Sequence, residues 1–140
     1  MDVPLHVRFG GFVEVLGCDL PTPTVRVGQE FRAVFYYRVL ASTRHAHSFE
    51  VTFVPDDGGA TWDKLSLPHI PVSGRYPTTE WRPGEILRDD VPLRVEAEVR
   101  ATGYGVRLRV RNEHTGQVVP ADTERAGGDD LFLGHVDVLP

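Results

Sequence analysis

A chain of 140 residues fits a single domain, and a domain of this size buries roughly 70% of the surface that its unfolded chain exposes. Hydrophobic residues make up 41% and charged residues 25%, which argues against disorder, and no stretch approaches the roughly 20 apolar residues of a membrane span. The net charge of -5 argues against nucleic acid and anionic lipid as partners, because the field of the protein repels both.

The start of the chain and its cysteine content bear on the cellular compartment. The segment from Met1 to Arg8 lacks the basic and apolar regions of a signal peptide. Cys18 has no second cysteine to pair with, so an oxidising compartment is neither required nor excluded. We expect a cytoplasmic location for the chain as written, and an extracytoplasmic one if it is a domain excised from a larger protein.

Strand periodicity dominates the first half of the sequence. Short strands are expected at Val7 to Phe9 and Phe12 to Leu20. Two longer runs, Phe31 to Leu40 and Ser48 to Val54, place apolar residues on one side of a strand. We expect these two runs to pair as neighbours, with a turn from Pro55 to Gly59 ending the second.

The second half continues the same pattern. Apolar residues alternate with charged ones in Leu93 to Arg100 and again in Val106 to Arg111, which predicts a hairpin through Ala101 to Gly103. Further strands are expected at Gln117 to Val119 and at Leu131 to Val138.

These elements together predict the fold class. No window of 11 residues has the apolar spacing of a helix, and 11 prolines with 14 glycines punctuate the chain. We predict one all-β domain over residues 1–140, an immunoglobulin-like or jelly-roll β-sandwich of seven or eight antiparallel strands. The cysteine and tryptophan signature of true immunoglobulin domains is missing.

The segment from Gly74 to Asp90 is the most specific part of the sequence. It combines two aromatics, two prolines and two glycines, and is predicted to cross between the sheets, with Asp89 capping its backbone. Tyr76, Trp81 and Arg82 lie in it and are candidate ligand-binding residues, since exposed aromatics stack on sugar rings. Trp62 is a further candidate. The alternative is that Tyr76 and Trp81 close one end of the core.

Motifs spread along nearly the whole chain resemble a known family. They are Phe9-Gly10, Val15 to Leu20, Val27 to Phe31, Tyr36 to Arg38, Gly74 to Glu85 with Asp89, Gly103 to Val110, Thr115-Gly116 and Leu133-Gly134. The chain resembles the β-sandwich accessory domain that follows the membrane-embedded part of bacterial glycosyltransferases of the dolichyl-phosphate-mannose mannosyltransferase type. More weakly, Phe12 to Arg38 is similar to sandwich modules that recognise O-antigen ends on polysaccharide exporters. Both resemblances imply a role with glycans.

Two departures from the family pattern stand beside this resemblance. Relatives carry a tryptophan and a tyrosine where this chain has Tyr36-Tyr37, and a histidine where it has Glu50 to Thr52. The sequence as written also shows no membrane portion, so we expect either a domain cut out of a larger protein or a module recruited as a free subunit.

Other residue groups suggest chemistry less specifically. Acidic turns could supply calcium ligands, although their spacing matches no known calcium loop; they contain Asp56, Asp57, Asp63, Asp89, Asp90, Asp129 and Asp130. His45 and His47 could be two ligands of a zinc site, but no third ligand is evident. Cys18 lies in an apolar strand and is expected to be a buried hydrophobe rather than a nucleophile.

A basic stripe on one strand, Arg107, Arg109 and Arg111, could attract a phosphate-bearing partner. The simpler interpretation is that Glu96 and Glu98 on the adjacent strand of the predicted hairpin neutralise it.

We therefore predict a non-catalytic accessory or binding module with no cofactor and no metal, and a glycan or glycoconjugate as ligand. The alternative is a structural subunit that docks on a protein partner through an exposed sheet face, for example around Val34, Tyr36 and Leu40, within an oligomer or larger complex. Neither hypothesis involves nucleic acid or direct membrane insertion.

Overall fold

The computed structural model is an all-β sandwich of two sheets, as the strand periodicity predicts. It describes residues 3–20, 24–57, 67–69, 75–95, 99–122 and 130–140. The strands in these ranges are β1 (Val3–Phe9), β2 (Val13–Asp19), β3 (Thr24–Arg26), β4 (Glu30–Val39), β5 (His47–Pro55), β6 (Leu67–His69), β7 (Ile86–Arg94), β8 (Gly103–Asn112), β9 (Val118–Val119), β10 (Ala121–Asp122) and β11 (Asp130–Leu139). Seven of them have seven residues or more, in agreement with the predicted number of main strands. No helix in the described ranges is long and apolar enough to cross a membrane.

The strands form two sheets that pack face to face. Sheet I has the order β10-β1-β2-β4-β7, and sheet II has the order β3-β11-β8-β5-β6, with β9 also pairing with β8. Neighbouring strands are antiparallel except for β3, which runs parallel to β11 and so departs from the fully antiparallel arrangement that we predict.

The expected pairing of the two long N-terminal runs is wrong. β4 pairs with β2 and β7 in sheet I, whereas β5 pairs with β6 and β8 in sheet II. The two strands face each other across the core instead, and the rings of Tyr37 and Phe49 lie 4.8 Å apart. In both runs the alternation places apolar residues inward. Two strands that pair in one sheet and two strands that face each other across the core have this same pattern, so it does not distinguish the two arrangements.

The predicted hairpin between Leu93 to Arg100 and Val106 to Arg111 is also wrong. β7 ends at Arg94 in sheet I, and β8 belongs to sheet II between β5 and β11. Beyond β7 the chain still pairs with the segment before β4, where the Val95 N–H donates to the Gln29 carbonyl over 2.9 Å. Glu96 and Glu98, the expected partners of the basic stripe, lie outside the described residues.

Aromatic side chains fill one end of the space between the sheets. The ring centroid of Trp81 lies 6.3 Å from that of Phe12, 5.9 Å from that of Tyr37 and 6.0 Å from that of Phe49. These rings come from β4, β5 and the segments before β2 and β7, so they join both sheets. Tilted aromatic pairs at such distances add to the stabilisation that burial of their apolar area already gives.

A buried polar pair lies within this apolar interior. The Tyr37 hydroxyl donates a hydrogen bond of 3.2 Å to Asp89 Oδ2, and both residues are fully buried. Burial, and then the charge and hydrogen bond of Asp89, raise the pKa of Tyr37 well above its usual value, so the phenol stays protonated. Asp89 thus lies inside β7 and accepts a hydrogen bond from a side chain of the adjacent strand β4. Its expected capping of the preceding segment stays a prediction.

The outermost strands of both sheets contain or adjoin proline. β7 ends sheet I and contains Pro92, β6 ends sheet II and contains Pro68, and Pro120 immediately precedes β10. Proline has no backbone N–H to donate, so these edges are poor templates for another strand. Contact with a partner through the exposed faces of the sheets is therefore favoured over strand addition at these edges.

The substitution Tyr37→Phe should lower the free energy of unfolding by about 1–3 kcal/mol, because it removes a donor from a buried carboxylate. Tyr36→Phe is the matched control. Its hydroxyl donates to Asp19 over 2.8 Å on the partly exposed face of the same strand, where water can replace it. Urea unfolding of both variants measures the difference. Equal losses would contradict the buried pair as described.

Candidate functional site

The segment predicted to cross between the sheets does so. It leads from β6 in sheet II to β7 in sheet I, and its described part, residues 75–85, contains a single 3-10 turn, Thr78–Glu80. Thr78 is fully buried, and its hydroxyl oxygen accepts a hydrogen bond of 2.9 Å from the His47 backbone N–H. This contact fixes the crossover to the start of β5.

Trp81 does not present an exposed face for stacking, which corrects its expected role as an aromatic platform. Its side chain is 2% exposed, and its indole N–H donates to the Tyr76 carbonyl over 2.9 Å. The alternative stated for Trp81 from the sequence, closure of one end of the core, is the arrangement that the structure shows. A large indole at the end of a sandwich buries more apolar area there than any smaller residue could.

Tyr76 and Arg82 are held on the outer side of the same segment. The Tyr76 hydroxyl donates to Glu85 Oε1 over 2.6 Å, and the Arg82 backbone N–H donates to the same oxygen over 2.6 Å. The hydrogen bond from Tyr76, and then that from the Arg82 backbone, lower the pKa of Glu85. The same bond between Tyr76 and Glu85 raises the pKa of Tyr76. Tyr76 is half-buried and Arg82 is exposed. Trp62 lies outside the described residues.

The histidines considered as zinc ligands are engaged separately. His47 is buried, its Nδ1 lies 2.9 Å from the His45 carbonyl oxygen, and burial lowers its pKa. The His45 ring instead stacks on His114 at 4.4 Å. Within the described ranges, no group of three or more histidine, cysteine, aspartate or glutamate side chains is placed to hold a metal ion. Cys18 is buried in β2, as expected.

The outer face of sheet II collects most of the remaining polar side chains. β8 runs through its centre with β5 on one side and β9 and β11 on the other, and every second residue of β8 points away from the core. The residues opposite each other form successive rows across this face. The rows are Ser48, Arg111 and Val118; Glu50, Arg109 and Asp130; Thr52, Arg107 and Phe132; and Val54, Gly105 and His135.

The basic stripe of β8 is paired with carboxylates other than those expected. Glu50 lies 3.2 Å from Arg109 Nε and 2.7 Å from Arg111 Nε, and Asp130 lies 2.9 Å from an Arg107 terminal nitrogen. The hydrogen bond to Glu50 raises the pKa of Arg111. The prediction that carboxylates of a neighbouring strand neutralise the arginines is thus confirmed. The described carboxylates, however, belong to β5 and β11.

An exposed aromatic ring lies beside this stripe. Phe132 is 46% exposed, and the Arg107 guanidinium carbon lies 5.6 Å from its ring centroid. Gly105 faces the ring: a β-carbon at this position would be 3.4 Å from a Phe132 ring carbon. The lack of a side chain at Gly105 therefore gives the Phe132 ring room to lie over this position.

His135 lies next to Phe132 on the same face because β11 contains a bulge. The register shifts between Phe132 and Gly134, which places two residues three apart in sequence on one side of the sheet. His135 Nε2 makes a short hydrogen bond with Asp56 Oδ2, and His135 Nδ1 lies 3.6 Å from Asp137 Oδ1. The hydrogen bond to Asp56 is the main cause that raises the pKa of His135, and the charges of both aspartates add to it.

Part of this face was accessible to sequence reasoning and part was not. Phe132 alternates with the buried Leu131 and Leu133, so an outward aromatic could have been inferred from the pattern. The link between His135 and Asp56 joins the end of β5 to β11, and no local pattern indicates it.

No protein-family model matches the sequence, and no curated protein matches it significantly. Among solved structures, a Niemann-Pick type C2 protein from Japanese carpenter ant is similar, with a TM-score of 0.53 and 11% identity over 97% of this chain and 95% of that one. This likeness supports the immunoglobulin-like sandwich fold alone.

A second solved structure is a family 123 glycoside hydrolase from Clostridium perfringens, in a study of glycolipid glycan hydrolysis. It is 10% identical over 86% of this chain and 23% of that chain, with a TM-score of 0.42. A score this low supports no inference about this chain. The resemblance to mannosyltransferase accessory domains stays a prediction.

The substitution Trp81→Ala should lower the free energy of unfolding by about 3–5 kcal/mol, because it leaves a cavity where the two sheets meet. The adjacent substitution Arg82→Ala is the control and should change it by about 0.5 kcal/mol or less, as is usual for an exposed side chain. Denaturant unfolding compares the two. A small loss for Trp81→Ala would show that the indole does not hold the core.

The contacts of His135 predict a pH-dependent contribution to stability. Its pKa in the folded protein is raised, so the stabilisation is fully present below the unfolded pKa of about 6.5 and is lost as pH rises through the higher folded value. His135→Gln should therefore destabilise the protein more at pH 5.5 than at pH 9. Unfolding measured across this range tests the sign, and a constant or opposite difference would contradict it.

Proposed function

We propose that this protein is a non-catalytic binding module that recognises a glycan or glycoconjugate on the outer face of sheet II. The observation that carries the proposal is Phe132, an exposed ring on β11, beside the central strand of a polar sheet face. A sugar ring has an apolar C–H face and a rim of hydroxyl groups. Its recognition therefore needs an aromatic surface with hydrogen-bonding groups beside it.

The groups beside Phe132 meet this requirement. On one side Arg107, held by Asp130 over 2.9 Å, offers N–H donors to hydroxyl oxygens. On the other side Asp56 and Asp137 offer carboxylate oxygens as acceptors, and His135 lies between them. The ion pairs hold these side chains in place before a ligand arrives, which lowers the entropic cost of binding.

The geometry of His135 supports a binding role rather than a catalytic one. A general base must place a free ring nitrogen within hydrogen-bonding reach of the substrate. Here Nε2 is bound to Asp56 and Nδ1 faces Asp137, so both nitrogens already have acceptors. The imidazole is better suited to linking β5 with β11 than to moving a proton.

The crossover segment supports ligand binding less well than this face does. Trp81 is buried, and Tyr76 donates its hydroxyl hydrogen bond to Glu85 within the segment. Arg82 and the exposed part of Tyr76 remain as secondary contacts for a ligand. The resemblance to glycosyltransferase accessory domains agrees with a glycan ligand, whichever surface binds it.

A second candidate function is docking on a protein partner through the outer face of sheet I. The observation that favours it is Ile86, which is 57% exposed and lies opposite Arg38 at the edge of that face. Val34, Tyr36 and Leu40 are only half-buried on the same side. The prolines of the edge strands favour contact through the face over strand addition.

The glycan proposal is tested by applying the purified protein to a glycan array and measuring the affinity of each glycan that binds. Phe132→Ala should weaken binding about tenfold or more, because the sugar loses its stacking surface, and should leave the fold intact by circular dichroism. Ile86→Ala, an exposed apolar truncation on the opposite sheet, is the control and should leave the affinity unchanged. An array with no bound glycan, or loss of binding in Ile86→Ala alone, would refute the proposal.

A further inference from the structure

We propose that the outer face of sheet II contains a site for an anionic group, a phosphate, sulfate or carboxylate, formed by Arg109, Arg111 and Ser48. The inference rests on the proposed function in one respect, since it takes the anion to be a substituent of the bound glycoconjugate. Its three residues are not among those described as contacting Phe132.

The arginines on this part of the face outnumber the carboxylates that they pair with. Glu50 is shared between Arg109 and Arg111, while Asp130 pairs with Arg107. Three guanidinium groups therefore share two ion-paired carboxylates, and Glu50 alone serves both Arg109 and Arg111. Each arginine side chain is about one-third exposed, so a ligand in solvent can reach it.

Two donors on this face have no hydrogen-bond acceptor. Ser48 is 2% exposed and lies opposite Arg111 in the register of β5 and β8, yet its hydroxyl has no partner. Arg109 Nε lies 3.2 Å from Glu50 Oε2, which is within ion-pair distance, but its N–H is not aligned for a hydrogen bond. Unpaired buried polar atoms are rare in folded proteins, and here two occur in adjacent rows of one face.

The unsatisfied groups select the chemistry of the ligand. Arginine only donates hydrogen bonds, and the hydroxyl of Ser48 has a hydrogen to donate, so the missing partner is an acceptor. An oxyanion offers several acceptor oxygens and a negative charge, and the planar guanidinium matches carboxylate and phosphate geometry with two parallel bonds. A cation would be repelled by the guanidinium groups of Arg109 and Arg111.

The position of the site relative to Phe132 joins it to the proposed glycan surface. Arg109 lies in the row next to that of Arg107 and Phe132, and alternate residues on a strand are about 7 Å apart. A sugar stacked on Phe132 would thus place an acidic substituent, on its own ring or on the next, over Arg109. The preferred ligand is an acidic glycan rather than a neutral one.

The test measures binding of polygalacturonate, dextran sulfate and inorganic phosphate to the purified protein by calorimetry, with neutral dextran as the uncharged comparison. Ser48→Ala and Arg109→Gln should each weaken binding of the acidic ligands about tenfold. Arg88→Gln removes a guanidinium from the opposite sheet and should leave binding unchanged. Ser48→Ala should keep or raise the melting temperature, because it removes an unpaired buried hydroxyl, so lost binding will not reflect unfolding.

The outcomes separate this inference from the proposed function. Binding of acidic ligands that is weakened by Ser48→Ala and Arg109→Gln supports the anion site. Phosphate binding at these residues without any glycan binding keeps the anion site but refutes glycan recognition. Glycan binding that depends on Phe132 and is unaffected by either substitution overturns the anion site and keeps the proposed function. Binding of polyglutamate with no binding of acidic polysaccharides overturns the inference in favour of an acidic protein partner.

Discussion

The packing of Trp81 between the two sheets is the contact on which the rest of the structure depends. The indole contacts rings from both sheets, and its N–H is bonded to the backbone of the same crossover segment. These contacts hold the described part of the crossover against the core, just before β7 begins beside β4. Thr78, bonded to the start of β5, fixes the other side of the same segment.

With the core closed in this way, the exposed surfaces of the sandwich are left to interact with other molecules. Sheet I presents half-buried apolar and charged residues, with Ile86 at its edge. Sheet II presents ion-paired side chains around Phe132, together with two unpaired donors. A sheet face that holds its polar groups by ion pairs while leaving an aromatic ring exposed is organised for contact with a polar ligand. This difference between the faces underlies both proposals.

Local pattern predicted the strands well, but it did not predict which strands lie side by side. The two predicted strands, Phe31 to Leu40 and Ser48 to Val54, agree with β4 and β5 to within one residue at each end. Their expected pairing fails, because an inward apolar face has the same pattern in either sheet. At the candidate site, the outward arginines of β8 were visible in the sequence, while their link to Glu50 depends on a distant strand.

The sequence alone determined that the chain forms β-strands, which side of most strands is apolar, and that the crossover carries a large aromatic able to close a core. The tertiary structure decided which carboxylate faces each arginine, that Trp81 is buried, and that Phe132 and His135 share one face. The physical reason is that alternation is a local property of the backbone, with a period of two residues. Strand neighbours and the bulge in β11 are set by how the whole chain buries its apolar surface, which no short segment specifies.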